Sequence, residues 1–167
     1  MIKRFSSLLI LVGLVSGSVA QEIPKSLNRK WVVVREIPTS TICCWGRSES
    51  KKLIGTEIEY GARLFRWKGV ITTQFSVGVS RISAEAFHKE YSGGGAADSQ
   101  VSFADLGIRA RDVLRIVLTH AEANITGATV EIPGDEVLIK DRDTIIFSVC
   151  NVYFEARRKV KEYKPHK

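Results

Sequence analysis

From Glu136 to Arg157 three β-rich stretches are joined by two short reversals, and few folds accept that arrangement. Glu136–Lys140, Thr144–Val149 and Val152–Arg157 carry Val, Ile, Phe and Tyr, which suit a pleated, half-buried surface. Asp141-Arg142-Asp143 and Cys150-Asn151 lie between them, and Asp and Asn favour turns because their side chains bond to nearby backbone. Strands this close in sequence pair antiparallel, since a parallel partner needs a crossover of about a dozen residues. The three form a meander.

Earlier segments extend the pattern. Trp31–Arg35 is a β-branched strand, broken by the stretch from Pro38 to Ser40. Ser48–Gly55 reads as a short helix, with Ser48 as N-cap and Gly55 as terminator. Thr56, Ile58 and Tyr60 alternate with Glu57 and Glu59, the signature of a half-buried strand. Gly61-Ala62 turns the chain, Phe65 and Trp67 alternate with Arg66 and Lys68, and an extended run covers 70–79. Ser83 opens a helix over 84–91, and a Gly-rich loop follows at 92–99. Ser102, Asp105 and Gly107 mark one capped and closed helical turn. Val113–His120 is a strand with Leu114, Ile116 and Leu118 on one face. There is no internal repeat and no βαβ alternation. The expected fold is mainly β: an antiparallel, closed or nearly closed barrel with two or three short helices at its rims.

The N-terminus combines Lys3 and Arg4, an apolar run from Leu8 to Val15, and Ser18-Val19-Ala20. This is the pattern of a secretory signal peptide cut after Ala20. The expected organisation is a signal peptide over 1–20, an extended arm over 21–30, a barrel domain over 31–158 and a basic tail over 159–167. The expected location is the periplasm or the exterior. No later segment approaches the roughly 20 apolar residues of a spanning helix.

The formal charge is +7, but two of those charges leave with the leader, so the mature chain carries +5. Arg157 to Lys167 holds six basic residues and one acid, and Gln21 to Ala156 holds 17 of each sign. The body is therefore neutral, which argues against nucleic acid as a partner. The tail is a solvated terminus with the charge to touch anionic lipid or polymer.

Export puts Cys43, Cys44 and Cys150 in an oxidising compartment. Adjacent cysteines seldom pair with each other, because the bond geometry strains the intervening peptide. Cys150 is expected to pair with Cys43 or Cys44, with Cys44 favoured and one thiol left over. Such a bridge closes a loop of about a hundred residues and contributes on the order of 4 kcal/mol on the chain-entropy model.

Several phrases carry a family likeness: Trp31 opening the first strand, Leu53-Ile54-Gly55-Thr56 leading to Tyr60, Phe103-x-x-Leu106-Gly107-Ile108, and Lys140-Asp141-x-Asp143-Thr144-Ile145 leading to Val152-Tyr153-Phe154-Glu155-Ala156-Arg157-Arg158. From Trp31 to Arg158 the chain resembles small exported bacterial proteins of unknown function that look like lipocalin-type, or calycin-type, barrels. The Gly-x-Trp usual near a lipocalin N-terminus is absent. The resemblance implies a fold and no activity.

No catalytic constellation emerges. Glu85 and His88 share a helix face at metal-ligand spacing, yet no further ligands can be named, and an exposed polar face is expected. His120-x-Glu122 lacks the downstream cysteines of a zinc deaminase, and His120 shares the parity of Ile116 and Leu118, so it is expected to close a buried face. Asp135, Glu136, Asp141 and Asp143 fit turn chemistry better than a calcium loop. Gly93-Gly94-Gly95 lacks the rest of a phosphate loop.

The expected function is non-enzymatic binding of a small apolar ligand or envelope component at a barrel mouth, with no cofactor. The candidate contacts are Trp45, Arg47, Phe65, Trp67 and Phe154. The alternative is a protein-interaction or inhibitor domain acting through the loops at 43–47 and 92–99. A hydrolase or metal enzyme is the least supported reading.

Overall fold

Alternation of polarity decides most of the strands, and closure of the sheet decides the rest. The computed structural model describes residues 22–39, 47–73, 75–91, 101–120 and 132–160. Within them run β1 (Lys30–Ile37), α1 (Arg47–Lys51), β2 (Glu57–Gly61), β3 (Leu64–Trp67), β4 (Val70–Thr72), β5 (Phe75–Ser83), α2 (Ala84–Tyr91), β6 (Asp112–His120), β7 (Glu136–Ile139), β8 (Thr144–Val149) and β9 (Val152–Arg158). The strands form one antiparallel sheet in the order β4-β3-β2-β1-β9-β8-β7-β6-β5, bent into a nearly closed barrel.

The two edge strands are consecutive in the chain. β4 pairs with β3 through Thr72 against Phe65, and β5 pairs with β6 through Phe75 against His120. The extended run expected at 70–79 is therefore divided, and its halves serve opposite edges.

The turns follow their residues. Lys68 and Gly69, then Cys150 and Asn151, occupy positive φ at the centres of two-residue hairpins, the type I′ geometry that matches strand twist. Asp141 accepts the Asp143 backbone N–H at 2.8 Å, the turn chemistry expected of that segment. Ser83 caps α2 by accepting the Ala86 N–H at 3.1 Å. Gly107, at φ 65, closes a single turn whose Ile108 N–H reaches the Phe103 carbonyl at 2.7 Å. Ser48 lies inside α1 rather than capping it, one residue past the observed start.

Two apolar layers result. The interior is filled by Trp31, Ile58, Phe65, Ile116, Phe147 and Phe154, with Ile23 and Leu27 beneath them. Residues 22–29, expected as an extended arm, instead turn between Pro24 and Asn28. The turn sends Ile23 and Leu27 into the core and lets Trp31 donate its indole N–H to the Leu27 carbonyl at 3.0 Å. A second layer lies outside the sheet, where Phe87 of α2 and Phe103, Leu106 and Ile108 cover Val113, Leu138, Ile146 and Tyr153. Hence β7, β8 and β9 are buried on both faces, and their near-continuous apolar runs reflect that. No helix among the described residues is long and apolar enough to cross a membrane.

A bulge in β1 breaks its alternation. The register shifts between Val33 and Arg35, so Val33 faces the interior and Arg35 faces outward against Glu155. Glu155 is buried beside Arg35 at 2.7 Å, Arg157 at 3.3 Å and Lys140 at 3.4 Å. Burial raises its pKa, but the Arg35 hydrogen bond and the charges of Arg35 and Lys140 outweigh that and hold it below the usual range.

Across the interior, Tyr60 of β2 donates its hydroxyl to the Gly134 carbonyl at 2.6 Å, just before β7. Gly134 sits at φ 86, and a Cβ there would collide with that hydroxyl. Tyr60→Phe should cost about 1–2 kcal/mol by leaving a buried carbonyl unpaired. Gly134→Ala should cost at least as much through backbone strain. Urea unfolding measures both, and an unshifted midpoint for Tyr60→Phe would mean that the cross-barrel bond adds nothing.

Candidate functional site

Three strands build the most unusual polar feature of the interior. β6 carries Ile116, Leu118 and His120 inward, so the expected parity holds, and His120 ends the strand at 6% exposure. Phe65 of β3 and Phe75 of β5 flank its ring, with centroids at 5.6 and 5.9 Å. Tyr60 packs on Phe65 at 5.4 Å. The contact between β3 and β6 crosses the seam where the sheet edges meet.

Neither ring nitrogen of His120 has a hydrogen-bond partner among the described residues. Buried polar atoms are nearly always paired, so an orphaned pair needs a reason. Burial among phenyl rings penalises the imidazolium and lowers the His120 pKa from its ordinary value. The indole N–H of Trp67, two residues along β3 from Phe65, is likewise buried and unpartnered among the described residues. Trp67 itself is half-buried against the core, with the Lys68 ammonium 4.4 Å from its ring centroid.

Of the residues expected to bind, Phe65 and Trp67 belong to this end of the barrel. Phe154 lies deeper, stacked on Phe147 at 5.4 Å and fully buried. Arg47 opens α1. Trp45, Cys43, Cys44, Glu122 and the 92–99 loop fall outside the described residues. Cys150 occupies the β8–β9 turn at φ 51.

Sequence reading missed three features. Phe75, the second ring on His120, sits in a run with no marked alternation. Glu155 interrupts the apolar run Val152–Ala156, and that lone acid was a legible sign of a buried ion cluster. On the outer wall, Arg115 donates to Glu90 at 2.8 Å and forms an ion pair with Glu136 at 3.0 Å, and Glu136 also accepts the Tyr91 hydroxyl. Burial and that carboxylate push the Tyr91 phenol well above its ordinary pKa.

Elsewhere, an open cleft of about 360 Å³ on the outer wall is lined by Lys30, Thr56, Glu57, Glu59, Arg66, Lys68 and Gly69. Its carboxylates are engaged, Glu59 by Arg66 at 2.8 Å and Glu57 by Lys159. His88 and Glu85 are exposed on α2, and among the described residues no three His, Cys, Asp or Glu side chains gather as a metal site requires. No family model, curated protein or solved structure matches the chain.

His120 stays neutral in the fold more readily than in the unfolded chain, where its pKa is about 6.5. Its contribution is therefore intact above that value and is lost as pH falls through the depressed folded pKa. His120→Phe should remove this loss and raise stability by about 1–2 kcal/mol by deleting two orphaned nitrogens. Thermal unfolding from neutral to mildly acid pH checks it; equal acid sensitivity in both proteins would contradict the assignment.

Proposed function

We propose that this chain is an exported, non-enzymatic binding protein that holds a small, mainly apolar ligand at the His120 end of its barrel. The carrying observation is His120 itself: buried among phenyl rings, with both nitrogens unpartnered among the described residues. A ligand with an apolar body and one hydrogen-bonding group answers that deficit. The interior around Trp31, Phe147 and Phe154 is filled by side chains, so the ligand sits at the mouth, between Phe65, Phe75 and Trp67. Sites of this kind pair an apolar lining with a few placed polar groups.

The non-enzymatic reading is supported by what surrounds His120. Among the described residues it meets aromatic rings and no serine, cysteine or carboxylate that it would activate. Kinship with the lipocalin-type barrels that the sequence resembles belongs to the same reading, as does the leader over 1–20. A bridge from Cys150 to Cys44 fits an exported chain. It is supported by Ile37, which pairs with Tyr153 next to the β8–β9 turn that carries Cys150, and which stands only six residues before Cys43 in the sequence.

Native mass spectrometry of the mature protein, purified from the cells that make it, reads bound mass and free thiols together. The expected spectrum shows one free thiol and a small molecule that is lost on denaturation and absent from His120→Phe. A bare wild-type chain, or a ligand retained equally by the variant, would refute the assignment of the site.

A further inference from the structure

Strand direction sorts the charges of this neutral body. In an antiparallel barrel every second connection falls at the same end. Here one end collects the N-terminal turn before β1, the β2–β3 turn, the β5–α2 junction, the lead into β6, the β7–β8 turn and the exit from β9. Those segments place Lys25, Arg63, Arg109, Arg111, Arg142 and Arg158 at that end, all exposed.

Two of these have acidic partners: Arg63 meets Glu22 at 3.5 Å and Arg158 meets Asp143 at 3.4 Å. The other four make no ion pair among the described residues. The acids left to oppose them are Asp141, which accepts a backbone N–H within its own turn, Asp105, which accepts the Ser102 backbone N–H and hydroxyl, and Glu85 at the start of α2. The surplus is thus a property of placement, invisible in the net charge of the body. β9 ends here, and the sequence that follows Val160 carries Lys161, Lys164 and Lys167 against Glu162.

The four unpaired cations stand on three separate segments around a rim, Arg109 and Arg111 sharing the lead into β6, rather than in one pocket. That spacing suits an extended anionic plane better than a single small anion. Exposed large apolar side chains among the described residues are all aliphatic, so among those residues this end offers no exposed aromatic ring on which a nucleobase would stack. Val160, 76% exposed and directly after Lys159, adds an apolar side chain where the chain would meet a headgroup layer. We propose that this end of the barrel docks on an anionic phospholipid surface, with the opposite half of the molecule, including the His120 mouth, turned elsewhere.

Sedimentation with vesicles of phosphatidylcholine, with and without phosphatidylglycerol, tests this on the full mature chain. Binding should require phosphatidylglycerol and weaken with added salt. At about fivefold per basic residue near such a surface, loss of three cations alone weakens binding about a hundredfold, so the charge-reversing triple variant Arg109→Glu, Arg111→Glu, Arg142→Glu should bind at least that much more weakly. The triple variant Lys51→Glu, Lys52→Glu, Lys89→Glu makes the same change of net charge away from this end and from the mouth, and should bind like wild type. Equal losses in both variants would show attraction by net charge alone and overturn the docking surface. So would binding to neutral vesicles, no binding at all, or binding to soluble long-chain polyphosphate without binding to vesicles. A ligand retained at the mouth is unaffected by any of these outcomes.

Discussion

One stretch of backbone, from Val70 to Ser83, makes the sheet a barrel. Its first residues hydrogen-bond to β3 and its last to β6, the strands next to the two edges. Because the same chain serves both edges, the sheet must curl until they approach. That curl brings Phe65 against His120, and it lets the Tyr60 hydroxyl reach the Gly134 carbonyl. Curling also creates an inside, and the inside is filled by large side chains. Trp31, Phe65, Phe147 and Phe154 are each almost wholly buried. Burial on that scale is the main favourable term in folding, at about 25 cal/mol for each Å² of apolar surface removed from water.

Much of this was legible residue by residue. Period-two alternation marked β2 and the inward face of β6, and Asp141, Asn151 and Gly107 marked their turns through their own backbone preferences. Ser83 and Tyr91 bounded α2 as read. What escaped was whatever depends on distant partners. The bulge that swings Arg35 outward sets it against Glu155 across the ladder, a pairing that no local pattern in β1 announces. The 22–29 turn looked polar and extended, since the pocket that takes Ile23 and Leu27 exists only once the barrel has closed. The parity of His120 could be read from sequence; its lack of partners among the described residues could not, because that is a statement about Phe65 and Phe75.

The molecule contrasts two treatments of buried polarity. Glu155 is buried, yet three cations compensate it, so its charge survives. His120 has aromatic neighbours and no compensating partner among the described residues, and the cheapest solution is neutrality. The first arrangement pins the outer layer, with Lys140 also donating to the Leu106 carbonyl at 3.2 Å. The second leaves hydrogen-bonding capacity unused at the seam, where the barrel wall is least continuous. That contrast ties the binding reading to His120 rather than to the better-charged outer wall. The basic rim is a separate consequence of the same topology, since antiparallel order alone gathers those turns at one end.

The central claim is that His120 is enclosed at the barrel seam and unpartnered among the described residues. An NMR titration of its imidazole in the ligand-free protein tests that most directly. The account predicts a midpoint below the ordinary value of about 6.5, with nitrogen shifts typical of a neutral ring lacking strong hydrogen bonds. A midpoint at or above that value would mean that His120 is solvated or paired, and the site built around it would fall.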